Sequence, residues 1–124
     1  MTFQGAVHFE IPVLDLDRAA RFYGELLGVT LERAEIDGNL AALFPTVEGV
    51  GISGALMRGE SYAPSRDGTR IYLRAGPIER VLARAVELGA TVLYPRTSIG
   101  ALGFVAEFED CEGNRIALHE SAPE

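Results

Sequence analysis

The sequence predicts an α+β fold made of two βαβββ modules, each with its helix on one face of a mixed sheet. Two apolar stripes at helical spacing occur, one in each half of the chain, and each is closed by a glycine, Gly28 or Gly89. Strand-like segments surround both stripes in the same order, which indicates an internal repeat. One helix per run of strands indicates that the helices cover a single face of each sheet.

Length and composition are those of one folded unit. The chain has 124 residues, of which 48% are hydrophobic and 23% charged, enough to bury a core. No apolar run reaches the roughly 18 residues of a membrane span, and the start lacks the pattern of a signal peptide, so we expect a cytoplasmic protein without a membrane partner. The net charge of −7 disfavours nucleic acid as a partner. Cys111 is the only cysteine, which excludes an internal disulfide.

The first module, residues 5–58, begins with a strand over 6–13. Asp15 is the expected N-cap of a helix, and Phe22 and Tyr23 belong to the apolar stripe that should pack in the core. Asp37, Gly38 and Asn39 form a hairpin turn signal. The remaining strands of this module are predicted over 29–36, 40–44 and 52–57.

A polar stretch, 59–68, is the expected linker within a single domain of residues 1–124. The second module, 69–120, repeats the order of the first. It is predicted to contain a strand over 70–75, a helix over 78–88, a strand from 91 to 94 and a closing hairpin over 104–120.

The last hairpin has one polar face that needs an explanation. On its return strand Ile116 and Leu118 lie on one side, while Arg115, Ala117 and His119 lie on the other. A strand with both faces in the core would not carry arginine and histidine. We therefore expect this face to line a site.

Three segments carry a family resemblance, namely HFEIPVLDLDRAARFYGELLG (8–28), VELGA (86–90) and FEDCEGNRIALHE (108–120). They resemble the vicinal oxygen chelate superfamily, which includes glyoxalase I, ring-cleaving dioxygenases and bleomycin-resistance proteins. The resemblance covers nearly the whole chain. It implies modules whose strands curl into half-barrels around a small-molecule site, with the helices outside, often within a homodimer. It also implies a lyase, isomerase or dioxygenase where the member is an enzyme.

Metal-dependent members of the superfamily carry His, Gln or Glu on four strands, and this chain departs from that pattern. His8 occupies the first position, but Arg70 falls at the third and Ala117 at the fourth, and the second lies within 52–55. One ligand of four does not hold a divalent ion tightly, and Arg70 would repel it. We therefore expect the usual four-ligand metal site, and the glyoxalase I activity that it carries, to be absent.

A relocated metal site is an alternative. His8 and Glu10 share a face of the first strand, and His119 shares a face with Ala117. Two imidazoles and a carboxylate would suit zinc or iron, and nickel and manganese are further candidates. The competing interpretation makes the same three side chains part of a satisfied polar network.

A metal-free site is the third interpretation. Arg70 and Arg74 could bind a carboxylate or phosphate, with Tyr72 between them as a hydroxyl and a stacking surface. The alternative for these arginines is ion pairing with Glu107 and Glu109 across the sheet.

The candidate catalytic residues are His8, Glu10 and His119. Either histidine could move a proton, with Glu10 orienting it. Two functions stay open from the sequence. The first is a glyoxalase- or dioxygenase-like protein acting on or binding a small oxygenated or anionic metabolite. The second is a protein that sequesters a small molecule without chemistry, as bleomycin-resistance members do.

Overall fold

Eight strands and two helices form two similar halves in the computed structural model, which describes residues 2–123. The first half contains β1 (Phe9–Pro12), α1 (Leu16–Leu27), β2 (Glu32–Ile36), β3 (Asn39–Leu43) and β4 (Gly54–Arg58). The second half contains β5 (Tyr72–Leu73), α2 (Ile78–Glu87), β6 (Thr91–Ser98), β7 (Phe104–Glu109) and β8 (Arg115–Glu120). A short 3-10 turn, Gly100–Leu102, precedes β7.

The two halves form separate four-stranded sheets with matching topology. The strand orders are β1-β4-β3-β2 and β5-β8-β7-β6. In each sheet the strand that comes first in the chain pairs in parallel with the strand that comes last, β1 with β4 and β5 with β8. The other pairings are antiparallel. The first strand of each half therefore lies at a sheet edge. The α+β fold of two βαβββ modules predicted from the sequence is confirmed. No helix in residues 2–123 has the length and apolar character needed to span a bilayer.

The helix ends follow the local chemistry of the sequence. The Asp15 carboxylate accepts a hydrogen bond from the Arg18 amide at 2.9 Å, as expected of an N-cap. Gly28 and Gly89 follow the two helices with φ of 67° and 95°, the left-handed region that glycine enters at no steric cost. The amide after each glycine donates back into its helix, from Val29 to the Gly24 carbonyl and from Ala90 to the Ala85 carbonyl. Both predicted helix ends are thus present.

Strand lengths differ from the sequence prediction at the edges. The strand predicted over 70–75 is only Tyr72–Leu73, and the one predicted over 6–13 is Phe9–Pro12. Each lies at a sheet edge with a single neighbouring strand, so fewer of its residues find ladder partners. The strand expected over 91–94 instead continues to Ser98, through two register irregularities against β7.

The main core lies between the helices and one face of each sheet. Its fully buried members include Tyr23 and Phe108, whose neighbour Phe22 packs against both rings. The core position predicted for Phe22 and Tyr23 is confirmed. A smaller cluster of Ala41, Ala55 and Met57 lies on the opposite face of the first sheet, and Tyr62 from the stretch between the sheets packs onto it.

The turn between β7 and β8 joins the two halves. The buried Glu112 carboxylate accepts from the amides of Leu14 and Asp15 at 2.7 and 2.9 Å and from Arg18 at 2.6 Å. Asn114 donates from Nδ2 to the Pro12 carbonyl at 2.7 Å. These bonds hold the end of β1 against the start of β8, and the two strands border the site described next.

Candidate functional site

A cleft of about 1340 Å³ opens between the edges of β1 and β5. Within residues 2–123, β1 pairs only with β4 and β5 pairs only with β8, so no ladder joins β1 to β5. The cleft is lined by all six residues that the sequence singled out, which are His8, Glu10, Arg70, Tyr72, Arg74 and His119. Arg115 of β8 and Asp67 also line it. The lining thus carries three arginines and two carboxylates in a chain of net charge −7.

On the first-sheet side, three side chains form a hydrogen-bonded row. The Tyr62 hydroxyl donates to Glu10 Oε1 at 2.7 Å, and Glu10 Oε2 lies 3.3 Å from His8 Nε2. The hydrogen bond to Glu10, with some burial, raises the pKa of Tyr62, so its hydroxyl keeps its proton. Because Glu10 can only accept when ionised, His8 Nε2 carries the proton in this contact. When the imidazole of His8 is neutral, this tautomer leaves Nδ1 as an acceptor.

On the second-sheet side, His119 uses both ring nitrogens. Arg74 Nη2 lies 3.0 Å from Nδ1, and the Leu102 carbonyl lies 2.7 Å from Nε2. A guanidinium only donates and a carbonyl only accepts, so Nδ1 is the acceptor and Nε2 carries the proton. His119 therefore orients Arg74 in the cleft, and this arrangement engages both nitrogens that proton transfer would need.

Arg70 is oriented by the buried carboxylate of Glu107. Glu107, only 6% exposed, accepts from Arg70 Nη1 at 3.0 Å and from Arg115 Nη1 through its other oxygen. One negative charge between two guanidinium groups leaves an excess of one positive charge on this face of β5 and β8. The cross-sheet pairing considered from the sequence is thus present for Arg70. Glu109 instead pairs with Arg66 at 3.0 Å.

Tyr72 lies between the two arginines in sequence and pairs with Ala117 in the ladder. Its side chain is 50% exposed in the cleft. An exposed aromatic ring beside guanidinium groups offers a stacking surface to a ligand.

The three candidate metal ligands border the same cleft without converging. His8 and Glu10 are in contact, whereas His119 is occupied by Arg74 and Leu102. Across residues 2–123 no three His, Cys, Asp or Glu side chains are grouped closely enough to hold a metal ion. The relocated metal site of His8, Glu10 and His119 stays a hypothesis from the sequence.

Cys111 has the environment of a structural thiol. Burial and the neighbouring Glu112 carboxylate raise its pKa to about 12. A thiol with that pKa carries almost no thiolate at neutral pH, the form that a nucleophile requires.

Two functional candidates could not be identified from the sequence. Tyr62 lies in the polar stretch predicted as a linker, where no periodicity shows that it folds back on the first sheet. Glu107 was considered only as a surface ion-pair partner, although it is buried and shared by two arginines. The one signal in the sequence was that alternation puts Glu107 on the same face of its strand as Glu109. In the structure Glu107 is the ladder partner of Ala117.

The paired βαβββ modules and the cleft between their first strands define a protein of the vicinal oxygen chelate type. Residues 7–119 match the model of the glyoxalase-like domain, and the chain belongs to this family. No curated protein matches the chain.

Solved structures share the fold over almost the full length. The glyoxylase/bleomycin resistance protein/dioxygenase domain from Frankia sp. EAN1pec is 19% identical, with a TM-score of 0.74 over 98% of this chain and 100% of its own. The genomically encoded fosfomycin resistance protein FosX from Listeria monocytogenes is 18% identical, with a TM-score of 0.71 over 98% and 94%. UcmS2 is 23% identical, with a TM-score of 0.68 over 96% and 100%.

Proposed function

We propose that the protein binds a small oxygenated or anionic metabolite in the cleft between β1 and β5 and transfers a proton on it. The observation that carries this proposal is the meeting of two groups at one cleft. One group is the contacting pair His8 and Glu10, and the other is the pair of arginines, Arg70 and Arg74. Tyr62 does not line the cleft and supports the first group through its bond to Glu10.

The arginines supply the anion-binding part. Arg74 is oriented by His119 and Arg70 by Glu107, and among the described residues each makes its side-chain hydrogen bond through a single terminal nitrogen. The remaining N–H groups can donate to a carboxylate or a phosphate, and a planar guanidinium does so in bidentate fashion. By the sequence resemblance, Arg70 falls at the third ligand position of metal-binding relatives, and its guanidinium would bring positive charge there.

His8 supplies the proton acceptor. Its Nε2 is oriented by Glu10, as a carboxylate orients a catalytic imidazole, and Nδ1 can accept a proton from a bound molecule. With a ligand that has a C–H next to a carbonyl, the C–H bond breaks, the proton moves to Nδ1 and the electron pair moves onto the carbonyl oxygen. The resulting enolate would be stabilised by the guanidinium groups.

Sequestration without chemistry is the second candidate. The engagement of both His119 nitrogens favours it, because it removes one of the two histidines from proton transfer. The two candidates share the arginine site and differ only in the role of His8.

Calorimetric titration with pyruvate and inorganic phosphate tests the binding site. We expect Arg74→Gln to weaken binding about tenfold, the loss of one charge-assisted hydrogen bond. Arg84→Gln on α2, a half-buried arginine that pairs with Glu87 and lies outside the cleft, is the matched control and should bind as the parent does. Absence of binding by the parent protein, or equal binding by Arg74→Gln, would contradict the proposed site.

Deuterium incorporation at the methyl carbon of pyruvate in D₂O separates chemistry from sequestration. We expect exchange above the buffer rate with the parent protein, and a loss of about 100-fold or more in His8→Ala, the usual contribution of a general base. Binding without exchange would instead establish the sequestering function.

Homodimerisation stays a prediction from the family architecture. Sedimentation at increasing protein concentration measures it directly, and a 13.4 kDa species at all concentrations would contradict it.

A further inference from the structure

Part of the cleft lining is apolar, and this part is called the apolar arm. This apolar arm is lined by side chains from the end of α1 and from the connection between β3 and β4, namely Leu27, Val29, Phe44, Val47, Val50 and Ile52. Val47 and Val50 are 61% and 67% exposed, and Ile52 is 47% exposed. Side chains of this kind, grouped along one cavity, indicate a surface that an apolar group covers.

Strand alternation explains why the polar groups and the apolar arm adjoin. Along β1, Glu10 lies on the sheet face of its ladder partner Ala55 and lines the cleft with the arginines, while Phe9 and Ile11 lie on the other face, where Phe9 contacts Phe44 with ring centroids 5.6 Å apart. On β5, Leu73 likewise faces away from Tyr72. The gap between the two strand edges thus connects a charged side with an apolar side.

The size of the cleft is more than a small metabolite needs. Its volume of about 1340 Å³ exceeds the roughly 300–1,000 Å³ usual for small-molecule sites. A ligand the size of pyruvate, bound at Arg70 and Arg74, would leave the apolar arm unfilled.

We infer that the ligand is a monocarboxylate with an apolar tail, its head at Arg70 and Arg74 and its tail in the apolar arm. This inference rests on the proposed anion site and adds the class of ligand. Charge complementarity fixes the head at the arginines, and the exposed valines and Ile52 gain from burial under the tail.

Calorimetric titration with butanoate, hexanoate and octanoate tests the inference on the full chain. We expect the dissociation constant to fall about fourfold for each added methylene, the usual gain for burying a CH₂ group. Octanol, which lacks the charge, should bind at least about tenfold more weakly than octanoate.

A matched pair of variants locates the tail. Ile52→Asn should flatten the dependence on chain length, whereas Leu40→Asn should retain it, because Leu40 is similarly exposed at 51% but lies outside the cleft. Equal affinity of the parent protein for butanoate and octanoate overturns the apolar arm and leaves the anion site standing. Absence of binding by every acid overturns the anion site as well.

A second copy of the chain is the other occupant that the apolar arm could have. Sedimentation of Ile52→Asn and Leu40→Asn tests for it. We expect Ile52→Asn and the parent protein to have the same oligomeric state. A change of oligomeric state in Ile52→Asn, with the chain-length dependence retained, would overturn the inference and assign these side chains to an interface.

Discussion

The hydroxyl of Tyr62 donates to the Glu10 carboxylate at 2.7 Å, so the stretch between the two sheets is anchored to β1 at the cleft. The anchor is reinforced by packing of the Tyr62 ring on the small cluster of the first sheet and by the bond from its amide to the Gly59 carbonyl at 3.1 Å. Glu10 is thereby held in the orientation that places it against His8.

Tyr62→Phe should loosen this stretch while keeping the ring in place. Because one hydrogen bond to a carboxylate is lost, we expect amide hydrogen exchange over residues 59–65 to become about three- to tenfold faster. Mass spectrometry of the exchanged protein measures this. Tyr94→Phe is the control, since that tyrosine is 42% exposed on β6 and lies away from the cleft. Unchanged exchange in Tyr62→Phe would show that the ring alone holds the stretch.

The helices and their ends could be predicted from the sequence because their chemistry is local. Asp15, Gly28 and Gly89 act on backbone atoms within a few residues of themselves, and the apolar stripes repeat every three or four positions. The position of Tyr62 could not be predicted in the same way. Its contacts are with strands up to 52 residues away, and nothing in a polar stretch specifies which surface it covers.

The candidate site shows the same division between local and distant information. Alternation along single strands placed His8 with Glu10 and Arg70 with Arg74, and all four line the cleft. The state of His119 depends on Leu102, which is 17 positions away on the turn before β7. Alternation gives the face of a side chain, whereas its partner depends on how distant segments pack.

Tyr23→Phe should destabilise the protein by about 2 kcal/mol at neutral pH, because the buried hydroxyl donates to Asp110 at 2.5 Å. Urea unfolding measures the change. Tyr94→Phe again serves as the control and should stay within about 0.5 kcal/mol of the parent. Three other groups donate to the Asp110 carboxylate, namely the Glu112 amide, the Asn114 amide and Asn114 Nδ2. A Tyr23→Phe variant as stable as the parent would mean that these three bonds satisfy Asp110 without the tyrosine.

Tyr23 also predicts a dependence on alkaline pH. Burial, together with the Asp110 charge, raises the pKa of Tyr23 well above its ordinary value of 10.0. In the unfolded chain the hydroxyl loses its proton near pH 10, while in the folded protein it does not. Its contribution to the free energy of unfolding is therefore complete below pH 10 and declines above it. We expect the stability difference between the parent and Tyr23→Phe to shrink between pH 9 and 11, and a constant difference would contradict this assignment.

Glu112→Gln should weaken the connection between the two halves. Burial alone would raise the pKa of Glu112, but the bonds from Arg18 and from the Asp15 and Leu14 amides outweigh it, so the pKa lies below its ordinary 4.5. A carboxyl group with a lowered pKa stabilises the fold above the unfolded pKa, and the contribution is lost as pH falls through the folded one. We expect a loss of about 2 kcal/mol at pH 7.

Urea unfolding from pH 7 to pH 3 checks this assignment. The difference between the parent and Glu112→Gln should be largest above pH 5 and should decrease towards pH 3. Glu87→Gln, at an exposed position near the end of α2, provides the control and should show no such trend. A difference that is independent of pH would indicate that the variant acts through packing and not through charge.

Metal analysis of protein purified without chelator decides between the arginine site and a metal site. The sequence resemblance predicts His8 as the one ligand at the four family positions and Arg70 at another of them, where its positive charge would repel an ion. We therefore expect less than about one zinc, iron, nickel or manganese ion per ten chains after loading, and unchanged pyruvate binding in EDTA. Near-stoichiometric metal that is lost in His8→Ala/His119→Ala would contradict this. Because these two histidines border one cleft without meeting inside a chain, that result would require a rearrangement of the cleft or a ligand from a second copy.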